Sequence, residues 1–127
     1  MLERILDLHI HSKYSRACSK RLELPVIASA ARERGIDILA TGDFTHPAWF
    51  SHMREHLVEE NQGMYKIRNP KSAVPAGRQE VRQTKFIIGT EIASIKKHKD
   101  KTRRVHHLIF APSLEVAEKF NKKLSDR

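Results

Sequence analysis

The sequence predicts a single α/β domain in which parallel strands alternate with helices. Two observations support this class. Short apolar runs of strand length alternate with amphipathic segments of helical period, and 127 residues are enough for one hydrophobic core. Apolar residues make up 39% of the chain and charged residues 31%, which is typical of a globular protein rather than a disordered one.

Composition excludes two classes of protein. No apolar run approaches the ~18–20 residues that are needed to cross a bilayer. A single cysteine, Cys18, leaves neither a disulfide framework nor a multi-cysteine zinc site. We therefore expect a cytoplasmic protein without a membrane partner.

The first four elements are predicted from local signals. Residues 5–10 and 36–41 are apolar runs of strand length. A helix over residues 25–34 has proline in its first turn and is followed by Gly35, which suits the C′ position. Residues 48–60 form a second helix, whose inner face comprises Trp49, Phe50, Met53 and Leu57. On its other face, His52 and His56 are predicted to face solvent rather than to bind metal.

The second half of the chain begins with a predicted long loop at residues 63–85, where proline, glycine and polar residues interrupt any periodicity. Strands are predicted at residues 86–95 and 105–111, joined by a charged tip at 96–104. Ser113 can cap a last helix, in which apolar residues recur at intervals of four.

The charge of the chain is concentrated in one stretch. The sequence holds 24 basic and 15 acidic residues, and residues 64–104 alone carry 12 basic and 3 acidic ones, which accounts for the whole excess of nine. Such a basic insert favours a polyanionic partner, and the alternative is a solvated surface. The candidate nucleic-acid-binding residues are Lys96, Lys97, Lys99, Lys101, Arg103 and Arg104.

A His-x-His motif lies at the end of the first predicted strand. Because side chains alternate across a strand, Asp7, His9 and His11 share one face. Two imidazoles on one face can hold a metal ion, and Asp7 can orient one of them through its far ring nitrogen.

The second predicted strand is followed by Asp43 and His46, at the edge where an α/β active site would lie. Taken alone, this stretch equally fits a helix N-terminus, with Thr45 or Asp43 as the cap.

The third and fourth predicted strands contribute further ligand types. Glu91 follows a buried apolar run, so its carboxylate should be paired, bound to metal or exposed. His106 and His107 face opposite sides of the fourth strand, and periodicity does not decide which one faces the site. Imidazole and carboxylate ligands together suit zinc, manganese or iron.

These motifs resemble the PHP (polymerase and histidinol phosphatase) domain, and more closely its endonuclease Q branch. The resemblance covers nearly the whole chain and is carried by DLHIHSKYS at 7–15, TGDFTHP at 41–47, GTEI at 89–92 and RRVH at 103–106.

The resemblance implies a distorted TIM-type (β/α) barrel whose strand ends hold up to three divalent metal ions. By position, His9 and His11 bind one ion. Glu91 bridges two ions, and His106 binds the second. Asp43 and His46 take the catalytic positions, although many relatives have histidine directly after the aspartate.

The resemblance also bears on domain organisation. Residues 1–127 would form one incomplete PHP domain with the basic insert at 64–104, because a whole barrel needs roughly 200 residues. The C-terminal strands are expected to be missing. The remaining part of the protein, or another chain, is then an expected partner, and the fragment by itself could be inactive.

Three functions follow as hypotheses. The first is a metal-dependent endonuclease acting on damaged or deaminated DNA, and the second is a phosphatase of a small ester such as histidinol phosphate. The third is a non-catalytic fragment that binds nucleic acid or a partner chain.

Overall fold

Six strands and three helices form the described part of the chain, which in this computed structural model comprises residues 3–68 and 83–126. In chain order the elements are β1 (Leu6–Asp7), α1 (Leu24–Glu33), β2 (Ile38–Ala40), α2 (Pro47–His56), β3 (Leu57–Asn61), β4 (Met64–Ile67), β5 (Lys85–His98), β6 (Lys101–Ala111) and α3 (Leu114–Ser125). The α/β class predicted from the sequence is confirmed.

The strands form one mixed sheet in the order β1-β2-β5-β4-β3, with β6 paired to β5. β1, β2 and β5 run parallel, with Leu6 opposite Ile38 and Ala40 opposite Ile87. β3, β4 and β6 are antiparallel to their neighbours, so the expectation of a parallel sheet holds for three strands only. The barrel stays a prediction.

The hydrophobic core lies between the sheet and its helices. Trp49 and Met53 on α2 are fully buried, as are Leu24 on α1 and Phe86 on β5. The Trp49 indole donates hydrogen bonds to the carbonyls of the two residues that follow β2, at 3.2 and 2.9 Å. These bonds fix the start of α2 against the end of β2.

The last helix begins as predicted. Ser113 Oγ accepts a hydrogen bond from the Val116 N–H at 3.1 Å. The helix rests on the core through buried Ala117, and Asn121 donates to the Phe44 carbonyl at 2.9 Å. Within the described residues, no helix is both long and apolar enough to cross a membrane.

The second helix is shorter than predicted and the predicted long loop contains a strand. α2 ends at His56, and Leu57 takes an extended backbone conformation as the first residue of β3. A turn with Gly63 at a φ of 79° leads into β4, where buried Tyr65 pairs with Phe86. Burial of Leu57 and Tyr65 in the core favours this hairpin over another helical turn. Residues 69–82 of the predicted loop lie outside the described residues.

The predicted charged tip at 96–104 is also mostly strand. β5 and β6 pair continuously as far as His98 opposite Lys101. Lys99 and Asp100 close the hairpin with φ angles of 48° and 61°. Two consecutive positive φ angles are typical of a two-residue type I′ turn, which matches the twist of the strands it joins.

The solvent-facing position predicted for His52 is wrong. Its Nε2 accepts a hydrogen bond from the Leu24 N–H at 3.1 Å, and its ring stacks on Trp49 with 4.9 Å between centroids. The first N–H groups of a helix have no partner inside the helix. His52 therefore supplies an acceptor from α2 to the start of α1.

Candidate metal centre

The candidate site lies at the carboxyl edge of the three parallel strands. His9 and His11 follow β1, and Asp43 follows β2. Glu91 lies four residues beyond Ile87, the last residue of β5 that pairs with β2. Because these strands are parallel, the side chains converge on one edge of the sheet.

Glu91 is the centre of this group. Its Oε2 contacts His9 Nε2 and lies 3.2 Å from His11 Nε2, while its Oε1 contacts His106 Nδ1 on β6. The possible ligand atoms of His9, His11 and Glu91 all lie within 4.8 Å of one another. Each carboxylate oxygen thus faces at least one imidazole nitrogen.

The surroundings of Glu91 favour its ionised form. Hydrogen bonds with His9 and then His106 lower the pKa of the Glu91 carboxyl below its usual value, against a smaller opposing effect of burial. Its side chain is only 13% exposed, whereas those of His9 and His106 are about half exposed. The donor set of imidazole nitrogens and a carboxylate fits zinc, manganese or iron.

Asp43 is held by the loop that follows the His-x-His motif. Its Oδ2 accepts hydrogen bonds from the Ser12 N–H at 2.8 Å, the Ser12 hydroxyl at 2.6 Å and the Ser15 hydroxyl at 3.1 Å. Burial raises the pKa of Asp43, but these bonds and His11 together outweigh it and lower the pKa below its usual value. Asp43 is therefore an anion at neutral pH.

Ser15 also contacts His11. The Ser15 hydroxyl lies 3.2 Å from His11 Nδ1, and Asp43 Oδ1 lies 3.5 Å from the same nitrogen. The orienting role expected of Asp7 is thus available to a different carboxylate. Asp7 Oδ1 instead accepts a hydrogen bond from the His9 backbone N–H at 3.2 Å.

The backbone after β2 has an uncommon shape that aims Asp43 at the site. Gly42 and Asp43 have φ angles of 64° and 49°, both in the left-handed region. A Cβ on Gly42 would lie 2.2 Å from the Ile10 carbonyl oxygen, so only glycine fits at this position beside the loop that follows β1.

His46 serves as the N-cap of α2. Its Nδ1 accepts a hydrogen bond from the Trp49 N–H at 3.4 Å, so the cap is His46 and not Thr45 or Asp43. Its ring stacks on Tyr14 with 4.3 Å between centroids. An open pocket of about 320 Å³ lies here, lined by Tyr14, Ser15, Asp43, Thr45, His46 and Pro47.

Some site residues escaped the sequence analysis. Ser12 and Ser15 belong to no periodic pattern in the sequence. Their spacing of three residues is typical of a turn, and in the structure the Ser15 N–H donates a hydrogen bond to the Ser12 carbonyl at 3.0 Å. The structure also decides between the neighbouring histidines, because His106 contacts Glu91 and alternation then places His107 on the opposite face.

Comparison with known proteins gives relatives that are longer than this chain. No family model matches the sequence. An uncharacterized protein of Methanocaldococcus jannaschii is 31% identical over 117 residues, which are 92% of this chain and 11% of that protein.

Two solved structures share the fold. The lesion-specific endonuclease PfuEndoQ from Pyrococcus furiosus is 30% identical over 94% of this chain, with a TM-score of 0.68. A structure of endonuclease Q in complex with a 27-mer duplex substrate, with an abasic lesion at the active site, is 32% identical over 93%, also with a TM-score of 0.68. The chain spans 25% of each of those structures, so the similarity is to one part of endonuclease Q.

Proposed function

We propose that this chain provides a metal-binding, endonuclease-like site that hydrolyses phosphodiester bonds in damaged DNA. The observation that carries the proposal is the convergence of three histidines on Glu91, in a chain that has the fold of part of a lesion-specific DNA endonuclease. The PHP assignment is part of the same proposal and rests on the motifs that place those ligands.

The two oxygens of Glu91 suggest two ion positions. His9, His11 and Glu91 Oε2 would hold one ion, and Glu91 Oε1 with His106 would hold a second. A third ion stays a prediction. Divalent ions bound there would act as Lewis acids on a phosphodiester and make hydroxide available at neutral pH.

Ser15 and Asp43 would position His11 for metal binding. A proton on His11 Nδ1 can be donated to the Ser15 hydroxyl, which in turn donates its own proton to the Asp43 carboxylate. This arrangement leaves the lone pair of His11 on Nε2, the nitrogen that faces Glu91. Such outer partners raise the basicity of a ligating imidazole and fix its orientation.

Asp43 and His46 therefore have different parts in the proposed site. Asp43 is a positioning residue, because its contacts reach the ligand His11. His46 is engaged by the helix cap through Nδ1, which leaves the proton on Nε2 and makes it a hydrogen-bond donor at the pocket beside Asp43. In that position it is suited to donate to a phosphate oxygen rather than to replace a metal ligand.

The test is metal content together with nicking of a duplex that carries one abasic site, uracil or hypoxanthine, with manganese or zinc added. The chain should bind metal and nick the damaged strand, and His106→Ala should reduce both. His107→Ala is the matched control, since it changes the neighbouring histidine on the opposite face of β6.

Other outcomes would assign the alternative functions. Hydrolysis of small phosphate esters without nicking would indicate a phosphatase. DNA binding that is unaffected by chelators and shows no turnover would indicate a binding fragment. The exposed basic hairpin favours DNA over a small ester, because a small substrate needs no extended cationic surface.

A further inference from the structure

β5 and β6 extend beyond the rest of the sheet as a two-stranded ribbon, defined here as residues 91–98 and 101–108. In this segment β5 pairs with β6 alone among the described strands. From residue 93 to residue 108 every side chain is exposed. The ribbon contains five of the six basic residues predicted from the sequence to bind nucleic acid, and the sixth, Lys99, lies in the turn that joins its two strands.

The register of the ribbon divides these residues between two faces. Side chains of directly paired residues lie on the same face of the ribbon, and successive residues along a strand lie on opposite faces. The pairs Ala93–His106, Ile95–Arg104 and Lys97–Thr102 continue the face of Glu91. The metal-facing side thus carries Lys97 and Arg104, and the opposite side carries Lys96, Lys101, Arg103 and His107.

We propose that the DNA strand to be cleaved runs along the metal-facing side of the ribbon, where Arg104 and Lys97 bind its phosphates. This inference rests on the proposed function, because it takes the Glu91 cluster as the point of cleavage. The proposal assigns phosphate binding to two of the six basic residues. It predicts that the opposite side of the ribbon, which carries more basic residues, does not contact the phosphates of this strand.

Distance along the strands supports this path. Arg104 is paired with Ile95, four residues beyond Glu91, which corresponds to roughly 13 Å. Lys97 lies six residues beyond Glu91, or roughly 20 Å. Successive phosphates of one DNA strand advance by about 3.4 Å along the helix axis. Both cations are therefore within a few nucleotides of a phosphate held at Glu91.

The cations of the metal-facing side have no acidic partners. Among the described residues, neither Lys97 nor Arg104 has an acidic partner, so both are free to bind phosphate. On the opposite side Lys96 and Arg103 are directly paired cations that also have no acidic partner among the described residues. The two sets are therefore distinguished by the face of the ribbon on which they lie, because only Lys97 and Arg104 share the face of Glu91.

The experiment compares two double variants of equal charge. Lys97→Gln with Arg104→Gln removes the two cations of the metal-facing side, and Lys96→Gln with Arg103→Gln removes two cations of the opposite side. Each double variant has one lysine and one arginine changed, on adjacent residues of the same strands, so the loss of net charge is identical. Binding to a duplex with one abasic site is measured by fluorescence anisotropy between 50 and roughly 200 mM salt.

The metal-facing variant should bind at least tenfold more weakly and lose about two units from the slope of log K against log salt. The opposite-face variant should keep the slope of the unmodified chain within about half a unit. Equal effects of the two variants, or a larger effect of the opposite-face variant, would overturn the proposal, as would the absence of DNA binding.

Nicking by the same proteins separates this inference from the proposed function. If the unmodified chain binds DNA with the expected face dependence but does not nick it, the ribbon assignment stands and the proposed endonuclease function fails. If it nicks DNA and both double variants are impaired equally, the proposed function stands and the ribbon assignment fails.

Discussion

At the residue scale, Gly42 shows how one backbone position determines the site. Its φ of 64° turns the chain after β2, and its missing side chain leaves room for the Ile10 carbonyl. The same turn directs Asp43 toward Ser12 and Ser15. A change at Gly42 should therefore act on both stability and metal binding.

We predict that Gly42→Ala destabilises the protein by more than about 3 kcal/mol. A left-handed alanine alone costs about 1–2 kcal/mol, and here the new Cβ would also meet backbone at 2.2 Å. Gly35→Ala is the control, because Gly35 has a φ of 73° but no atom within 4 Å of the added Cβ. Urea unfolding measures the free energy of unfolding of both variants. An equal decrease in the two would show that the contact with Ile10 is unimportant.

Ser15 allows a second test at the residue scale. Ser15→Ala removes the hydroxyl that joins His11 Nδ1 to the Asp43 carboxylate, and metal affinity should fall by about 10- to 100-fold. Calorimetric titration with zinc or manganese measures the change. Ser51→Ala, at an exposed position on α2, should leave the affinity unchanged. An unchanged metal affinity in Ser15→Ala would show that the hydrogen bonds from His11 through Ser15 to Asp43 do not position His11 for metal binding.

The sequence was most informative for residues whose chemistry is rare. His9 and His11 both contact Glu91, as the His-x-His motif suggested, but they lie in the loop after β1, which ends at Asp7, and not on the face of a strand. Hydroxyl side chains such as Ser15 are common in loops and have no periodic pattern, so their role depends on a turn that only the structure provides. The choice of His106 over His107 depends on strand register, which alternation alone does not determine.

At the element scale, α1 and α2 are joined through a titratable side chain. His52 Nε2 accepts the Leu24 N–H, and burial followed by the charge of His56 lowers the pKa of the His52 imidazole below its ordinary value. Glu23 opposes this shift and Lys13 adds to it. In the folded state His52 is therefore neutral over a range of pH in which the unfolded chain is protonated.

The sign of the pH effect follows from this difference. Because the unfolded chain binds the extra proton, the contribution of His52 to stability is present above its unfolded pKa, about 6.5, and is lost as the pH falls below that value. His52→Gln keeps a hydrogen-bond acceptor and removes the titration. We predict that the melting temperature of this variant falls less between pH 7 and pH 5 than that of the unmodified chain.

NMR titration of the His52 ring provides the direct measurement. Its midpoint should lie below about 6.5, the value of an unperturbed imidazole. A midpoint at or above about 6.5, or an identical pH dependence of melting in His52→Gln, would contradict the link between α1 and α2.

Local signals predicted the existence of elements better than their ends. Helix α1 was predicted well, because proline and glycine mark its two ends. The end of α2 was missed because Leu57 continues the apolar stripe of the helix. In the structure Leu57 is buried as the first residue of a strand, and the sequence pattern does not distinguish the two cases. β4 was missed because it begins inside a stretch rich in proline, glycine and polar residues, and because Phe86, the residue that pairs with buried Tyr65, is distant in sequence.

At the scale of the whole molecule, the parallel order of β1, β2 and β5 is what brings the site together. Alternating strand and helix signals predicted that order. The antiparallel hairpin of β3 and β4 was not predicted, and it covers the other side of β5. The gathering of His9, His11, Asp43 and Glu91 at one edge of the sheet could be predicted because each of these side chains comes after a short apolar run, whereas His106 lies inside β6 after a charged stretch.

A metal ion bound at the proposed site should also stabilise the fold as a whole. The side chains of this site join the loop after β1 to β5 and β6, and the contact of His9 with Glu91 spans 82 residues of sequence. A ligand that binds the folded chain but not the unfolded one stabilises it by about 2.7 kcal/mol at 100 times its dissociation constant. We therefore predict that zinc or manganese at that excess raises the melting temperature by roughly 10 °C, and that a chelator reverses the rise.

Variants at the cluster distinguish specific binding from a general effect of cations. His9→Ala and His106→Ala should each lose most of the metal-dependent rise, because each removes an imidazole in contact with Glu91. His107→Ala keeps all the contacts of the cluster and should show the full rise. A melting temperature that does not respond to metal, or an equal rise in His9→Ala, would mean that this convergence of side chains is held together by hydrogen bonds alone.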